Sequence, residues 1–490
     1  MKLLNDPQGA RVAVTGGGKT GAAAARLLLR RGARVEVHDD APLEKVAEGL
    51  KKNGLDPMTV TIVAGGLRAE AFDGVDLIVL SPGVPRAHPA LAAALPRIPC
   101  INELELGYAE LARGPAGADG LVVLAITGTN GKSTTTTMAG AIARVRDPGA
   151  FIGGNLGTPL CAAIVDGLVA GTAAEPRLLV IELSSYQLET IWSLPVDAAA
   201  FTNLTPDHLD RYPSVDAYYQ AKARLFALLK TGGGVTLNAR DAETRRCLWP
   251  AVPGHVVPCH FDVLPGEIGV EVATDALQFQ RATQPPLKLM LGNPRIVGHH
   301  NRQNAAAAAA LGALIGLDGA TIQAGLDAYA GIAHRLERVG THAGVTWWND
   351  SKATNVDAAV TALHSFATIA DGQGVHLIAG GLGKGAPYAP LVDASRGRVV
   401  AVYTIGADAP AIAQAYAGVV EVIDCGDLQR AAGEAARRAR KGQHIVLSPA
   451  CASFDQFRDY GHRGDEFRTR FAEHSSIDGD DAASSMRGSR

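Results

Sequence analysis

Between residue 11 and about residue 112, short apolar runs alternate with longer stretches whose apolar positions recur at helical spacing. RVAVTG, RVEVHD, TIVAG and DLIVLSPG read as strands, and AAAARLLLRRG and PLEKVAEGLKKNG as helices. Strands alternating with helices predict a parallel sheet covered by helices. The small, flexible stretch RGPAGADG at 113–120 reads as a linker. The alternation then resumes. LVVLAITG is an apolar strand running into a glycine loop, LLVIEL (178–183) and AAAFTNL (198–204) are further strands, and HHNRQNAAAAAALGALIGL is a strong helix. From about His334 a third series follows: VTWWNDS, VHLIAGG, AVYTIG and HIVLSPA as strands, with helical stretches such as LQRAAGEAARRARKG between them. The expectation is an α/β protein of three domains, 1–112, 121–332 and 333–474, with mostly parallel sheets. The polar tail 475–490 is expected to be disordered.

Composition changes this picture little. At 490 residues, 47% apolar and 19% charged, the chain easily builds a large core. A net charge of −3 lacks the basic footprint of nucleic-acid binding, although it leaves room for a local basic cleft around an anionic substrate. The six cysteines are scattered without a C-x-x-C pair, which reads as reduced thiols in a cytoplasm. The N-terminal MKLLNDPQGAR lacks a signal-peptide apolar run, and Ala305 to Leu317 is too short and alanine-rich to span a bilayer. The expectation is a cytoplasmic protein without membrane insertion, and nothing in the sequence suggests an obligate interface, so a monomer.

Two glycine loops carry the chemistry. Gly16, Gly18 and Gly21 spell G-x-G-x-x-G between a strand and a helix, with Asp39 and Asp40 near the distance of a ribose-binding carboxylate. Alone, that pattern says dinucleotide-binding. The second loop, AITGTNGKST, runs from a buried strand through Gly131-Lys132-Ser133-Thr134 into a helix. Glycines let N–H groups turn toward an anion, the helix N-terminus adds positive potential, Lys132 can reach terminal phosphates, and Ser133 or Thr134 can ligate Mg²⁺. A strict phosphate-loop pattern needs glycine where Ile126 stands. Glu182, and Asp207, His208 and Asp210, follow strands, where open α/β sheets bind ligands. Singly, each has an ordinary structural reading. Beside a phosphate loop they read as a Mg²⁺ site. The residue chemistry of Lys222, in YYQAKARLF, assigns it no role.

In this order GTNGKST, IELSSYQLE, NLTPDHLDRY and YYQAKARLF resemble the central domain of the Mur ligases, ATP-dependent amide-forming enzymes of peptidoglycan synthesis. HRLERV, WWNDSKATN, GGLGKG and LSPACASFDQF resemble the C-terminal third of the branch that adds D-glutamate. The resemblance spans nearly the whole chain. It implies a Rossmann-like N-terminal domain for a UDP substrate, a central P-loop-type ATPase domain and a Rossmann-like C-terminal domain. It further implies ATP and Mg²⁺ at two sites, with UDP-N-acetylmuramoyl-L-alanine and D-glutamate as substrates joined through an acyl phosphate. Gly128, Thr129, Asn130, Gly131, Lys132, Ser133 and Thr134 would cradle ATP, with Asn301, Asn304, Arg335 and Asp350 as further nucleotide contacts. Ser133 and Glu182 would hold one Mg²⁺, and His208 and Lys222 a second. A lysine ammonium cannot ligate a cation, and the family answer is a carbamylated Lys222. Gly18, Lys19, Thr20, Asp39, Ser81, Asn155 and His208 would contact the UDP substrate. Lys352, Thr354, Lys384, Ser453 and Tyr460 would contact D-glutamate. Lys132, His208 and Lys222 would be catalytic.

Three rivals stand beside this reading. An NAD-dependent dehydrogenase explains the first loop but not the second. Another ligase of the family would differ in amino-acid choice. A non-catalytic nucleotide switch leaves the converging strand-end charges without purpose.

Overall fold

The computed structural model describes residues 6–114, 117–168, 177–208, 211–280, 285–369 and 374–485. The chain divides into two compact units, Met1–Asn293 with Asn301–Tyr329, and Pro294–His300 with Ala330–Arg490.

The first unit holds two parallel sheets. One has the spatial order Thr61–Ala64, Arg34–Asp39, Arg11–Thr15, Leu77–Leu80, Cys100–Ile101. Its central strand is buried on both faces, at Val12, Ala13 and Val14 alike, as expected where helices cover both sides of a sheet. The helix Lys19–Arg30 lays its alanines against this sheet. It comes very close at Gly21: a Cβ there would lie 1.8 Å from the Gly16 carbonyl oxygen, so only glycine fits. The second sheet has the order Val257–Pro258, Leu229–Leu237, Val196–Phe201, Leu121–Thr127, Arg177–Glu182, Phe151–Gly154, again all parallel. The two sheets share apolar packing. Leu106, on the helix Glu103–Ala112, and Cys161 and Ala162, on the helix Leu160–Val165, belong to the N-terminal core. Cys161 N donates to the buried Glu103 carboxylate at 2.5 Å, and Arg26 pairs with Asp166. The first two expected domains therefore form one unit.

An antiparallel three-stranded sheet, Gly269–Val272, Ala276–Gln280 and Leu287–Met290, completes this unit. Sequence patterning does not separate these strands from loop, because they are short and half-exposed.

The second unit carries a six-stranded sheet ordered Glu337–His342, Val345–Asn349, His444–Leu447, Val375–Gly380, Val399–Ile405, Glu421–Gly426. All pairs are parallel except the first, an antiparallel edge hairpin. The last helix runs Tyr460–Ser485. The backbone at 475–485, expected to be unstructured, is thus helical, because extending an existing helix fixes few dihedrals per added hydrogen bond. Residues 486–490 lie outside the described residues, as does Asp210.

Candidate active site

The strand Leu121–Thr127 delivers the second glycine loop to the carboxyl edge of its sheet, and the helix Lys132–Arg146 leaves from it. Gly131 makes the turn with φ +82°, and no side chain caps the helix N-terminus. The first-turn N–H groups thus present positive potential to an anion. The loop is held from beside: Thr129 N donates to the Asn203 carbonyl and Asn130 N to Asn203 Oδ1, both at 2.9 Å. Asn203 lies in NLTPDH, where its residue type alone gives it no part. The Thr129 hydroxyl is engaged with Thr205 as well, so this residue braces the loop through both its side chain and its backbone. Lys132 Nζ curls over the loop to the carbonyls of Gly128 and Thr129, at 3.1 and 2.8 Å. Ser133 and Thr134 are buried at the helix start.

Lys222 comes to the same carbonyl. Its helix, Val215–Ala223, is capped by Ser214, and its Nζ donates to Gly128 O at 2.8 Å with the Tyr218 ring 4.4 Å away. The side chain is 1% exposed. Burial, and next the Lys132 charge, drive its pKa well below the usual lysine value, against the pull of Asp207 and Glu182.

Glu182 ends its strand almost fully buried. Oε1 accepts from Asn155 Nδ2 at 2.9 Å, whereas the buried Oε2 has no hydrogen-bond partner. An orphaned carboxylate oxygen beside a phosphate loop fits a divalent cation, which takes oxygen ligands. His208 follows a strand end in the left-handed region, φ 54°, with Nδ1 2.8 Å from the Tyr186 hydroxyl and Nε2 3.6 Å from Asp207 Oδ2. A carboxylate and a hydroxyl, as at Glu182 and Ser133, are the oxygen donors that Mg²⁺ takes, although among the described residues no three His, Cys, Asp or Glu side chains cluster as a metal cage.

Asn301 and Asn304 share one face of the helix His299–Leu314 and bond to each other at 3.2 Å. Asn304 is buried behind the loop and accepts from Thr135 Oγ1, so its side chain supports the loop from the back.

The first glycine loop opens on a cavity of about 570 Å³ lined by Gly18, Lys19, Thr20, Asp39, Ser81 and Asn155, among others. Six of the seven residues expected to contact a UDP substrate thus line one cavity, His208 not being among its lining residues, and Asn155 joins that cavity to Glu182. Lys19 Nζ reaches the Gly157 carbonyl at 2.8 Å, across to the central domain. Asp39 differs from expectation in one respect. Its oxygens already accept from Gly17 N at 2.7 Å and Ala41 N at 2.9 Å, so it shapes the loop.

In the second unit, Asp350 is buried at the end of Val345–Asn349, accepting from Ser448 Oγ at 2.8 Å and Leu336 N at 3.0 Å. Burial pushes its carboxyl up to about 6, against those bonds and the charges of Arg335 and Arg463. Arg335 is half-buried between His334 and Leu336, both with positive φ. Lys352 Nζ lies 5.9 Å from the Tyr460 ring centre, and Thr354 is two residues on in the same loop. The exposed Lys384 and the buried Ser453 lie on loops joined by the Leu382–Ala452 bridge. Sequence reading missed Arg463. It is fully buried and donates to the Ser351 and Cys451 carbonyls at 2.8 and 3.1 Å, lacing the Lys352 loop to the Ser453 loop. No motif marks it.

Comparison with known proteins agrees with this arrangement. Residues 10–100 match the Mur ligase MurD-like N-terminal domain, 126–312 the Mur ligase middle domain and 334–451 the Mur ligase glutamate ligase domain. The chain belongs to the Mur ligase family. It is 44% identical to the UDP-N-acetylmuramoylalanine–D-glutamate ligase of Anaeromyxobacter dehalogenans, covering 94% of this chain and 97% of that protein. Its identity to the protein of the same name from Myxococcus xanthus is 43%, with the same coverage. The UDP-N-acetylmuramate-alanine ligase MurC of Thermotoga maritima has the same fold at 19% identity and a TM-score of 0.58, covering 95% of this chain and 99% of that one. The redox reading of the first glycine loop is set aside, and the strand–loop–helix it rested on is kept. No helix among the described residues is long and apolar enough to cross a membrane.

Proposed function

We propose that the protein joins D-glutamate to UDP-N-acetylmuramoyl-L-alanine at the expense of ATP, as a monomer in the cytoplasm. The carboxylate of the alanyl residue attacks the γ-phosphate of ATP, ADP leaves, and an acyl phosphate remains. The D-glutamate amine then attacks the acyl carbon, phosphate departs, and the amine proton is lost to leave an amide. A carboxylate needs such activation because its own oxygen is a poor leaving group. Catalysis rests on alignment and on neutralising phosphate charge.

The observation that carries this reading is the partnerless buried Glu182 Oε2 beside the uncapped helix of the phosphate loop. Residues 128–134 receive the phosphates, and Lys132 offsets their charge. Ser133 and Glu182 hold one Mg²⁺, with His208 and a carbamylated Lys222 for a second; the ions supply charge neutralisation at the phosphates. Asn301, Arg335 and Asp350 serve the nucleotide, with Asn304 behind the loop. Lys352, Thr354, Lys384, Ser453 and Tyr460 offer the cations and donors that a dicarboxylate requires. The cavity by Lys19, Asp39, Ser81 and Asn155 takes the UDP sugar, with His208 at its reacting end. The test is phosphate release from ATP with UDP-N-acetylmuramoyl-L-alanine and a panel of amino acids. Release that needs D-glutamate is expected; robust turnover with L-alanine and none with D-glutamate would overturn the assignment.

A further inference from the structure

His208 sits on a stretch, 202–208, that has no regular secondary structure, in a left-handed conformation costly for a non-glycine residue. What fixes its ring is a side chain from another segment. The Tyr186 hydroxyl lies 2.8 Å from Nδ1. Tyr186, four residues after Glu182, belongs to the one-turn helix Ser185–Leu188, which is started by a reciprocal Ser184–Gln187 capping box. Its direction is therefore tied to the strand that places the Glu182 carboxylate.

Tyr186 is itself clamped. The Arg211 guanidinium lies 3.8 Å from the centre of its ring, and the Tyr212 ring stacks beside it at 6.1 Å. Both clamping residues are held by one carboxylate: Arg211 Nη2 donates to Glu189 Oε2 at 3.2 Å, and the Tyr212 hydroxyl donates to Oε1 at 2.6 Å. Arg211 is only 17% exposed, so this guanidinium–ring contact is partly desolvated. The backbone of Glu189 is anchored in turn, its carbonyl accepting from Arg86 Nη1 at 2.9 Å.

We infer that Tyr186 is a positioning residue whose hydroxyl, bonded to His208 Nδ1, fixes the orientation of the imidazole. A ring held at Nδ1 has its Nε2 edge directed as well, and that edge lies 3.6 Å from Asp207 Oδ2. Through this bond the rigid Glu182 segment sets the place of a residue on an irregular one. The inference rests on the proposed function only in assigning His208 to the reacting groups; the hydrogen bond stands apart from it.

The test is Tyr186→Phe, which keeps the ring under Arg211 and removes one oxygen. The expected kinetic result is a fall in kcat of roughly 10- to 100-fold, as for other partners that orient a functional histidine, with KM for ATP within about twofold. The second readout needs neither ligand nor turnover. In protein labelled with ¹⁵N at histidine, with the His208 signals assigned by their loss in His208→Gln, Tyr186→Phe shifts the His208 Nδ1 resonance away from its position in the parent. Tyr416→Phe, which removes a hydroxyl bonded to Ser395 in the second unit, keeps the parental His208 signals. Unchanged kcat in Tyr186→Phe, or the same His208 spectrum in that variant and the parent, overturns the inference. A parental enzyme inactive with every amino acid would sink the proposed function instead, and the spectra would still judge the tether.

Discussion

At Lys222 burial and the neighbouring Lys132 charge act in the same direction, and both favour the neutral amine. A neutral amine is the form that adds CO₂, and a carbamate offers the anionic oxygens that an ammonium lacks. Lys222→Ala is therefore expected to lose nearly all turnover and to regain part of it when a short-chain carboxylic acid is supplied. Full turnover in the untreated variant would remove the carbamate from the site. Lys19 makes a separable case. It lines the cavity below the first glycine loop and bonds to Gly157 O. Lys19→Ala should raise KM for the UDP substrate and leave KM for ATP unchanged, and steady-state kinetics with each substrate varied in turn separates the two. Asp39 shows where residue-level reading stops. Its distance along the chain from the loop suggests a ribose contact, and its carboxylate keeps acceptor capacity for one, but spacing does not reveal that it also accepts from two backbone N–H groups and so shapes the loop.

Among elements, the turn into the helix Lys132–Arg146 is the most constrained. A Cβ on Gly131 would lie 2.4 Å from Asn304 Oδ1, at a φ of +82°. The left-handed conformation alone costs an L-residue about 1–2 kcal/mol, and the amide behind it, bonded to Thr135 and Asn301, has little freedom to withdraw. Gly131→Ala is expected to lower the thermal midpoint and to weaken ATP binding at least about tenfold, equivalent to about 1.4 kcal/mol. Calorimetry with and without nucleotide measures both, and a variant matching the parent in each would show that the loop can shift. This element was legible in the sequence, since an apolar strand, glycines, Gly-Lys-Ser-Thr and a helix make a local pattern. So were the parallel strands, whose side chains are apolar on both faces. The sheet at 269–290 was not legible, its strands being short and half-exposed, and neither was Arg463. The partners of that arginine are backbone carbonyls of residues 351 and 451, a relation that no spacing along the chain encodes.

At the scale of the molecule, the cavity at the first glycine loop is lined from both the N-terminal and the central domain of one unit, and the phosphate loop belongs to the central one, so their alignment depends on the joint between the two sheets. Glu103 sits in that joint. It begins the helix Glu103–Ala112, is 3% exposed, and accepts from the backbone of Cys161 on the central domain. Burial raises its carboxyl to about 7, against the hydrogen bonds from Cys161 and Leu160. In the unfolded chain the same group titrates near 4.5. Between these values the unfolded chain releases the proton while the folded one keeps it, so stability is highest below 4.5, declines as pH rises to about 7 and changes no further above it. Glu103→Gln keeps an acceptor for Cys161 N and removes the titration. Denaturant midpoints across pH 4.5 to 8 should therefore fall more steeply for the parent than for the variant, with the gap widening up to about pH 7 and then constant. Parallel curves would mean that Glu103 is ionised in the folded protein throughout. The predicted outcome is a Glu103 carboxyl that stays protonated over the mildly acidic range and serves the joint by packing and hydrogen bonding, beside the Arg26–Asp166 ion pair that crosses the same joint.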